Sequence, residues 1–186
     1  MGIVAHDWLR RIGDEGLAAW GRARVERAQG LLRIALAEEG VPPVEIEGAL
    51  QRVVQALATL VESGRGRWIF APEHADARSE FALTASDEGR LARIVVDRSF
   101  VDAGGVRWIV DFKTSQHGGT DLEAFLDNEV ERHQPQLERY ARLWGRFERR
   151  PVRLGLYWPL HDAWREWAHQ DAPVAVGDTA APGRSG

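Results

Sequence analysis

Val106-Arg107-Trp108-Ile109-Val110-Asp111-Phe112-Lys113 is the stretch whose reading decides the fold. Its β-branched and aromatic content marks a strand. Period-two alternation puts Ile109, Asp111 and Lys113 on one face and Trp108, Val110 and Phe112 on the other. Upstream, Leu91-Ala92-Arg93-Ile94-Val95-Val96-Asp97 is a second such run, and Asp102-Ala103-Gly104-Gly105 between them supplies turn chemistry. The two runs read as a hairpin. If its loop is Ala103 to Gly105, pairing outward sets Asp97 opposite Asp111, to within one residue of register. Directly opposed residues of an antiparallel pair have Cα atoms roughly 4.5 to 5.5 Å apart.

Two carboxylates that close repel, and like charges directly opposite destabilise a sheet. Protonating one acid relieves the conflict, and so does a cation between them. A divalent metal is the simpler answer, and oxygen ligands favour a hard ion such as Mg²⁺ or Mn²⁺. Lys113 adds to this reading because it is the only lysine in a chain with 24 basic side chains. A position that keeps lysine where arginine serves elsewhere fits a need for a compact ammonium with an adjustable pKa. Chance placement and a plain salt bridge to Asp111 or Asp97 are the structural alternatives.

Asp97, followed by Asp111-Phe112-Lys113 on the adjacent strand, resembles the PD-(D/E)XK nuclease superfamily, and the details resemble its RecB-type branch, found at the C-terminus of AddA and RecB helicase-nucleases. Gly2-Ile3-Val4-Ala5-His6 is similar to the Gly-x-x-x-His segment that opens those domains, Asp97-Arg98 to their Asp-Arg pair, and Gln136-Leu137-Glu138-Arg139-Tyr140 to their Gln-x-x-x-Tyr helix. The resemblance spans Gly2 to Trp167. It departs at Ile94, where the family often has glycine. It implies a restriction-endonuclease-like core and a metal held by His6, Asp97, Asp111 and the Phe112 backbone carbonyl. Asp97, Asp111 and Lys113 are the implied catalytic set, with Gln136, Tyr140, Arg98 and Thr114 toward the substrate.

By themselves several of these residues read otherwise. His6 beside Trp8 and Leu9 reads as a core or helix-end histidine. Gln136 and Tyr140 form one of many i, i+4 pairs. Thr114 reads as a strand-end residue, and Glu80 as an ordinary strand glutamate.

The implied chemistry is metal-dependent hydrolysis of DNA phosphodiester bonds, on single strands or ends, in recombination and repair. Lys113 would orient or help deprotonate the attacking water and offset developing charge. The rival from another class is an inactive nuclease fold used as a DNA-binding or scaffold module, and a third reading is a hydrolase of another phosphate ester. The implied partners are DNA and a helicase motor, in the same parent chain or in a partner subunit. The chain has no Gly-x-x-x-x-Gly-Lys-Ser/Thr loop and so cannot itself be the motor. It carries 28 acidic against 24 basic residues, a net charge of −4, which is unusual for a DNA binder. The arginines from Arg132 to Arg153 make the Gln136–Tyr140 helix locally basic, and tethering to a motor would supply effective concentration.

The chain has no cysteine, which excludes disulfides and an iron-sulfur cluster. No apolar run or signal pattern points to a membrane, so a cytoplasmic protein is expected. Residues 1–170 read as a single nuclease domain and 171–186 as a disordered tail. The position of His6 suggests a module cut from a longer protein or a stand-alone version of it.

Periodicity predicts helices from Ile3 to about Trp20 and from Arg22 to Leu36, then an amphipathic helix ending near Gly64. Trp68-Ile69-Phe70 reads as a strand start or loop anchor. Strands are expected at Glu80–Thr84, Leu91–Val101 and Val106–Thr114. A loop over Gln116–Thr120 follows, then helices at Leu122–Glu129 and His133–Phe147 and a last strand at Val152–Trp158. The expected architecture is α/β: a mixed central β-sheet flanked by helices, with an N-terminal helical layer.

Overall fold

The computed structural model describes residues 1–87 and 90–169; the expected tail at 171–186 lies outside the described residues. Strands β1 (Ala75–Asp87), β2 (Arg90–Val101), β3 (Arg107–Phe112), β4 (Val152–Trp158) and β5 (Ala163–Ala168) form one sheet in chain order. Only β3 and β4 run parallel; the other neighbours are antiparallel. A parallel pair needs a crossover. It is supplied by helix α6 (Leu122–Trp144), whose Leu126, Leu137 and Ala141 pack with Ile109, Leu154 and Leu156 on one face of the sheet. The other face carries helices α1 (Gly2–Glu15), α2 (Arg22–Arg27), α3 (Gln29–Glu38), α4 (Pro43–Glu62) and α5 (Gly64–Ile69). Their Ile12, Leu32, Leu57 and Ile69 pack with Phe100, Trp108, Val110 and Phe112. The chain is therefore α/β, a mixed sheet between two helical layers. No helix among the described residues is long and apolar enough to cross a membrane.

The β2–β3 turn is fixed by one side chain. Asp102 Oδ1 accepts the backbone N–H groups of Gly104 (2.9 Å) and Val106 (3.0 Å), and Oδ2 accepts the Trp108 indole N–H at 2.8 Å. Gly105, at φ +78°, takes the left-handed conformation that closes the loop at little steric cost. Pairing then runs from Val101↔Arg107 to Arg98↔Val110. One step further places Asp97 opposite Asp111, the register read from the sequence.

Several elements differ from expectation. The first helix ends at Glu15, because Gly16 at φ +81° breaks it, and a short 3-10 turn follows at Leu17–Ala19. The second divides at Ala28 into α2 and α3. Trp68 and Ile69 belong to α5, neither a strand start nor a loop. Ser63 Oγ caps that helix by accepting the Gly66 N–H at 2.9 Å, and a Cβ on Gly66 would stand 2.0 Å from the Leu60 carbonyl oxygen. The two helices expected around Glu131 are one, running through Pro135. An interior proline costs about 3 kcal/mol, and Leu126 and Leu137, three turns apart on one face, each offset about 1.5–3 kcal/mol by burial. Strand β1 is longer than expected, and β5 was not expected. β5 has little β-branched content, yet Trp164 lies across Gly155, where a Cβ would meet the indole at 2.1 Å.

Replacing Asp102 with Ala removes three hydrogen bonds at the turn that sets the register. The expected loss is about 2 kcal/mol, seen in thermal unfolding as a melting temperature lowered by roughly 4–8 °C. An unchanged melting temperature would mean that the strands hold the register without the turn.

Candidate metal centre

At Asp97 the β2–β3 ladder stops being purely backbone. The Phe112 N–H donates not to a facing carbonyl but to Asp97 Oδ2, at 2.8 Å. The faces of the strand also change phase here. Ile94 and Val96 pack on the α6 side with Ile109, whereas Arg98 and Phe100, at the same parity, lie toward the helical layer. The partner strand changes with it. Phe81 and Leu83 pack on the α6 side, while Ser79 bonds Arg98, and Glu80 between them has φ +48°. A non-glycine residue in the left-handed region inside a strand is backbone strain of the sort that collects at functional sites.

This kink brings side chains together. His6, one turn into α1, places Nδ1 3.3 Å from Asp97 Oδ1 and 3.8 Å from Glu80 Oε1. His6, Glu80 and Asp97 each offer an atom within 4.8 Å of the other two. They line an open cleft of about 480 Å³ with Gly2, Asp7 and Arg10. Helix α1 reaches this close because of Gly13, two turns along. A Cβ there would stand 2.3 Å from Ser79 Oγ and 3.1 Å from the Phe70 ring.

Asp111 is 9 % exposed, and Lys113 Nζ lies 2.7 Å from its Oδ2. The Lys113 ammonium is the close polar partner of that buried oxygen. Burial, then the charge of Asp97, pushes the Asp111 carboxyl up to about 6, against the opposing pull of Lys113. Burial, then Asp97, likewise raises Glu80. At His6, burial lowers the pKa, but the Asp97 hydrogen bond and the charges of Asp97, Asp111 and Glu80 outweigh it and the net shift is upward. The amide and carbonyl of one strand residue point to the same edge. The Phe112 carbonyl is therefore directed, with its N–H, toward Asp97. Oxygen donors with one imidazole, crowded and partly desolvated, as His6, Glu80 and Asp97 are, suit a hard divalent cation.

The remaining sequence candidates divide. Arg98 is not at the site: it is 5 % exposed, stacked over Phe70 at 4.7 Å, and donates to Ser79 Oγ at 3.0 Å and to the Ile69 carbonyl at 3.4 Å. Because the strand changes phase at Asp97, Arg98 turns into the helical layer rather than toward substrate. Thr114 lies past the end of β3, against Gly2. Gln136 Nε2 donates to Tyr140 Oη at 2.6 Å on the exposed surface of α6. Glu129, His133, Gln136 and Tyr140 follow one another along one stripe of that helix. The stripe starts beside the site: Ser115 Oγ donates to Glu129 Oε2 at 2.9 Å, and after burial the charge of Lys113 is what most lowers the His133 pKa.

Sequence reasoning took Glu80 for an ordinary strand residue, and its positive φ has no sequence signal. Glu129, 8 % exposed, was also missed, although its place on the Gln136–Tyr140 stripe is legible. The basic character read into α6 is partly neutralised, since Arg132 and Arg139 pair with Glu129 and Asp87, and, beyond the helix, Arg150 and Arg153 pair with Glu148 and Glu166.

His6, Glu80 and Asp111 all hold protons more tightly folded than unfolded. Each contributes stability that is present at low pH and lost as pH rises through its raised pKa. His74, His133 and His161, whose pKa values burial lowers, act in the opposite direction, so the cluster is read as a difference: in chelator, the stability gained on replacing Asp111 with Asn should be larger near pH 8 than near pH 6. Asp111→Asn should raise the neutral-pH melting temperature by a few degrees, roughly 2–4 °C for each kcal/mol recovered. The same variant should lose Mn²⁺ binding by calorimetry. A lower melting temperature for Asp111→Asn would contradict the charge crowding.

No family model and no curated protein matches this chain. Among solved structures it is similar to SSO0001, at 17 % identity and a TM-score of 0.34, over 78 % of this chain and 61 % of that one. This chain thus spans about three fifths of SSO0001, and the likeness is too low to carry an argument.

Proposed function

We propose that the chain is a metal-dependent nuclease that hydrolyses DNA phosphodiester bonds, in the manner of the RecB-type domains its motifs resemble. The observation that carries this is the meeting of His6, Glu80 and Asp97, with Asp111, ion-paired to Lys113, near enough to feel the charges of Asp97 and His6 and one step beyond the last paired residues of β2 and β3. A scaffold module has no use for a desolvated acid next to another acid. Holding Asp111 ionised costs stability, and such a cost persists where chemistry needs the charge.

His6, Asp97, Asp111 and the Phe112 carbonyl would hold Mg²⁺ or Mn²⁺, with Glu80 close enough to join them. The cation supplies Lewis acidity at the scissile phosphate. Asp111 holds the Lys113 ammonium at the rim of the site. From there Lys113 orients the attacking water and offsets negative charge that develops as the water oxygen bonds to phosphorus and the P–O bond to the leaving oxygen breaks. The Glu129–Tyr140 stripe offers hydroxyl and carboxamide groups to hold the strand in line. The net negative charge and the neutralised arginines of α6 support weak intrinsic DNA affinity. A helicase motor in the same parent chain or a partner subunit would deliver the strand.

End-labelled single-stranded DNA incubated with Mg²⁺ or Mn²⁺ tests the reading. The parent should cleave, chelator should abolish cleavage, and Lys113→Ala should lower the rate by about 100-fold or more. Absence of both cleavage and metal binding would leave only the scaffold.

A further inference from the structure

A second cleft, of about 570 Å³, opens between α4 and the segment that follows β3. It is lined by Gln51, Arg52 and Gln55 of α4, Gln116 and His117 of that segment, and His161 of the β4–β5 turn. No carboxylate lines it, in a chain whose acids outnumber its bases. The neighbouring acids are engaged elsewhere: Glu47 with Arg33 at 2.8 Å, and Asp162 with the Tyr157 hydroxyl at 2.8 Å.

The donors, by contrast, are free. Arg52 has no carboxylate partner among the described residues; its Nε donates only to the Met1 sulfur, at 3.2 Å. The guanidinium folds over Gly48, where a Cβ would stand 3.4 Å from Nη1. The side chains of Gln51 and Gln116 carry no hydrogen bond within the described protein. His117 Nε2 is shielded from solvent and has no partner, while its ring stacks on Phe125 at 4.9 Å. His161 holds this wall in place: its Nε2 accepts the His117 backbone N–H at 3.3 Å, and its ring also bonds the Ser115 backbone.

This cleft and the metal centre meet at the start of α1. Gly2 lines the first cleft and lies against Thr114, where a Cβ would stand 3.6 Å from Oγ1. On the other side of that contact, Arg52 reaches Met1 and Gln116 follows Lys113 closely in the chain. A strand crossing the metal centre past Gly2 would run into Arg52.

We propose that this cleft is a phosphate subsite that seats a non-scissile phosphodiester of the nucleic-acid strand being cut. Arg52 pairs with the phosphate oxygens, and Gln51 and Gln116 donate around it. The proposal rests on the nuclease reading for its substrate, but its test does not depend on turnover. Binding of a fluorescein-labelled single-stranded oligothymidylate is followed by anisotropy with Ca²⁺ as the divalent ion, over a series of salt concentrations. Arg52→Ala should raise Kd about tenfold and lower the salt slope by about one phosphate contact, and Arg52→Lys should recover the slope. Gln116→Ala should raise Kd a few-fold with the slope unchanged.

Parent-like Kd and slope in Arg52→Ala would overturn the subsite, as would no measurable binding by the parent. Competition by inorganic phosphate as effective as by unlabelled oligonucleotide would make it a general anion site and overturn the strand assignment. Cleavage of the same oligonucleotide with Mg²⁺ separates the two ideas. Cleavage with an indifferent Arg52→Ala sinks the subsite alone, and an Arg52-dependent affinity with neither cleavage nor metal binding sinks the nuclease alone.

Discussion

The hydrogen bond from the Phe112 N–H to Asp97 Oδ2 is the point on which the site depends. A β-ladder normally satisfies such an amide with a facing carbonyl, and an unsatisfied buried amide is costly. Here a side chain takes that place, so β2 is freed to change phase while the amide stays bonded. The carboxylate that makes this exchange is thereby fixed beside Asp111, in the cleft reached by His6.

Around that point the molecule holds like charges together. Asp97 crowds both Asp111 and Glu80, and His6, Lys113 and Arg10 oppose them. The rest of the fold keeps the crowding from relaxing. Asp102 fixes the register from the turn, Gly13 lets α1 seat against Phe70 and Ser79, and buried Arg98 fills the space under that contact. Strained backbone at Glu80 sits within this frame, where packing over-determines it. The cluster is a local sacrifice of stability supported by two ordinary hydrophobic cores.

The overall charge would suggest a poor partner for DNA, and the paired arginines of α6 sharpen that impression. Affinity depends on where unpaired cations and donors lie rather than on their sum. The carboxylate-free cleft beside Arg52 is, in the proposed reading, such a place on a net acidic surface.

Much of this was legible in the sequence, because its causes are local. Alternation and turn chemistry determined the β2–β3 hairpin and its register, so the facing of Asp97 and Asp111 followed from Asp102 to Gly105 and the period of a strand. The singular Lys113 and the amphipathic run of α4 were equally local signals. Tertiary structure decided the rest. Whether His6 was a core histidine or a member of the cluster depended on how closely α1 approaches the sheet, which Gly13 settles by what it touches. Arg98 turned inward and Glu80 joined the site because the strands change phase at Asp97, a change driven by a side chain bonding an amide on another strand. The helix continued through Pro135, and β5 formed around Trp164, because burial against distant residues outweighed local preference. A sequence carries its periodicities in itself, but contacts between segments far apart in the chain exist only once the chain has folded.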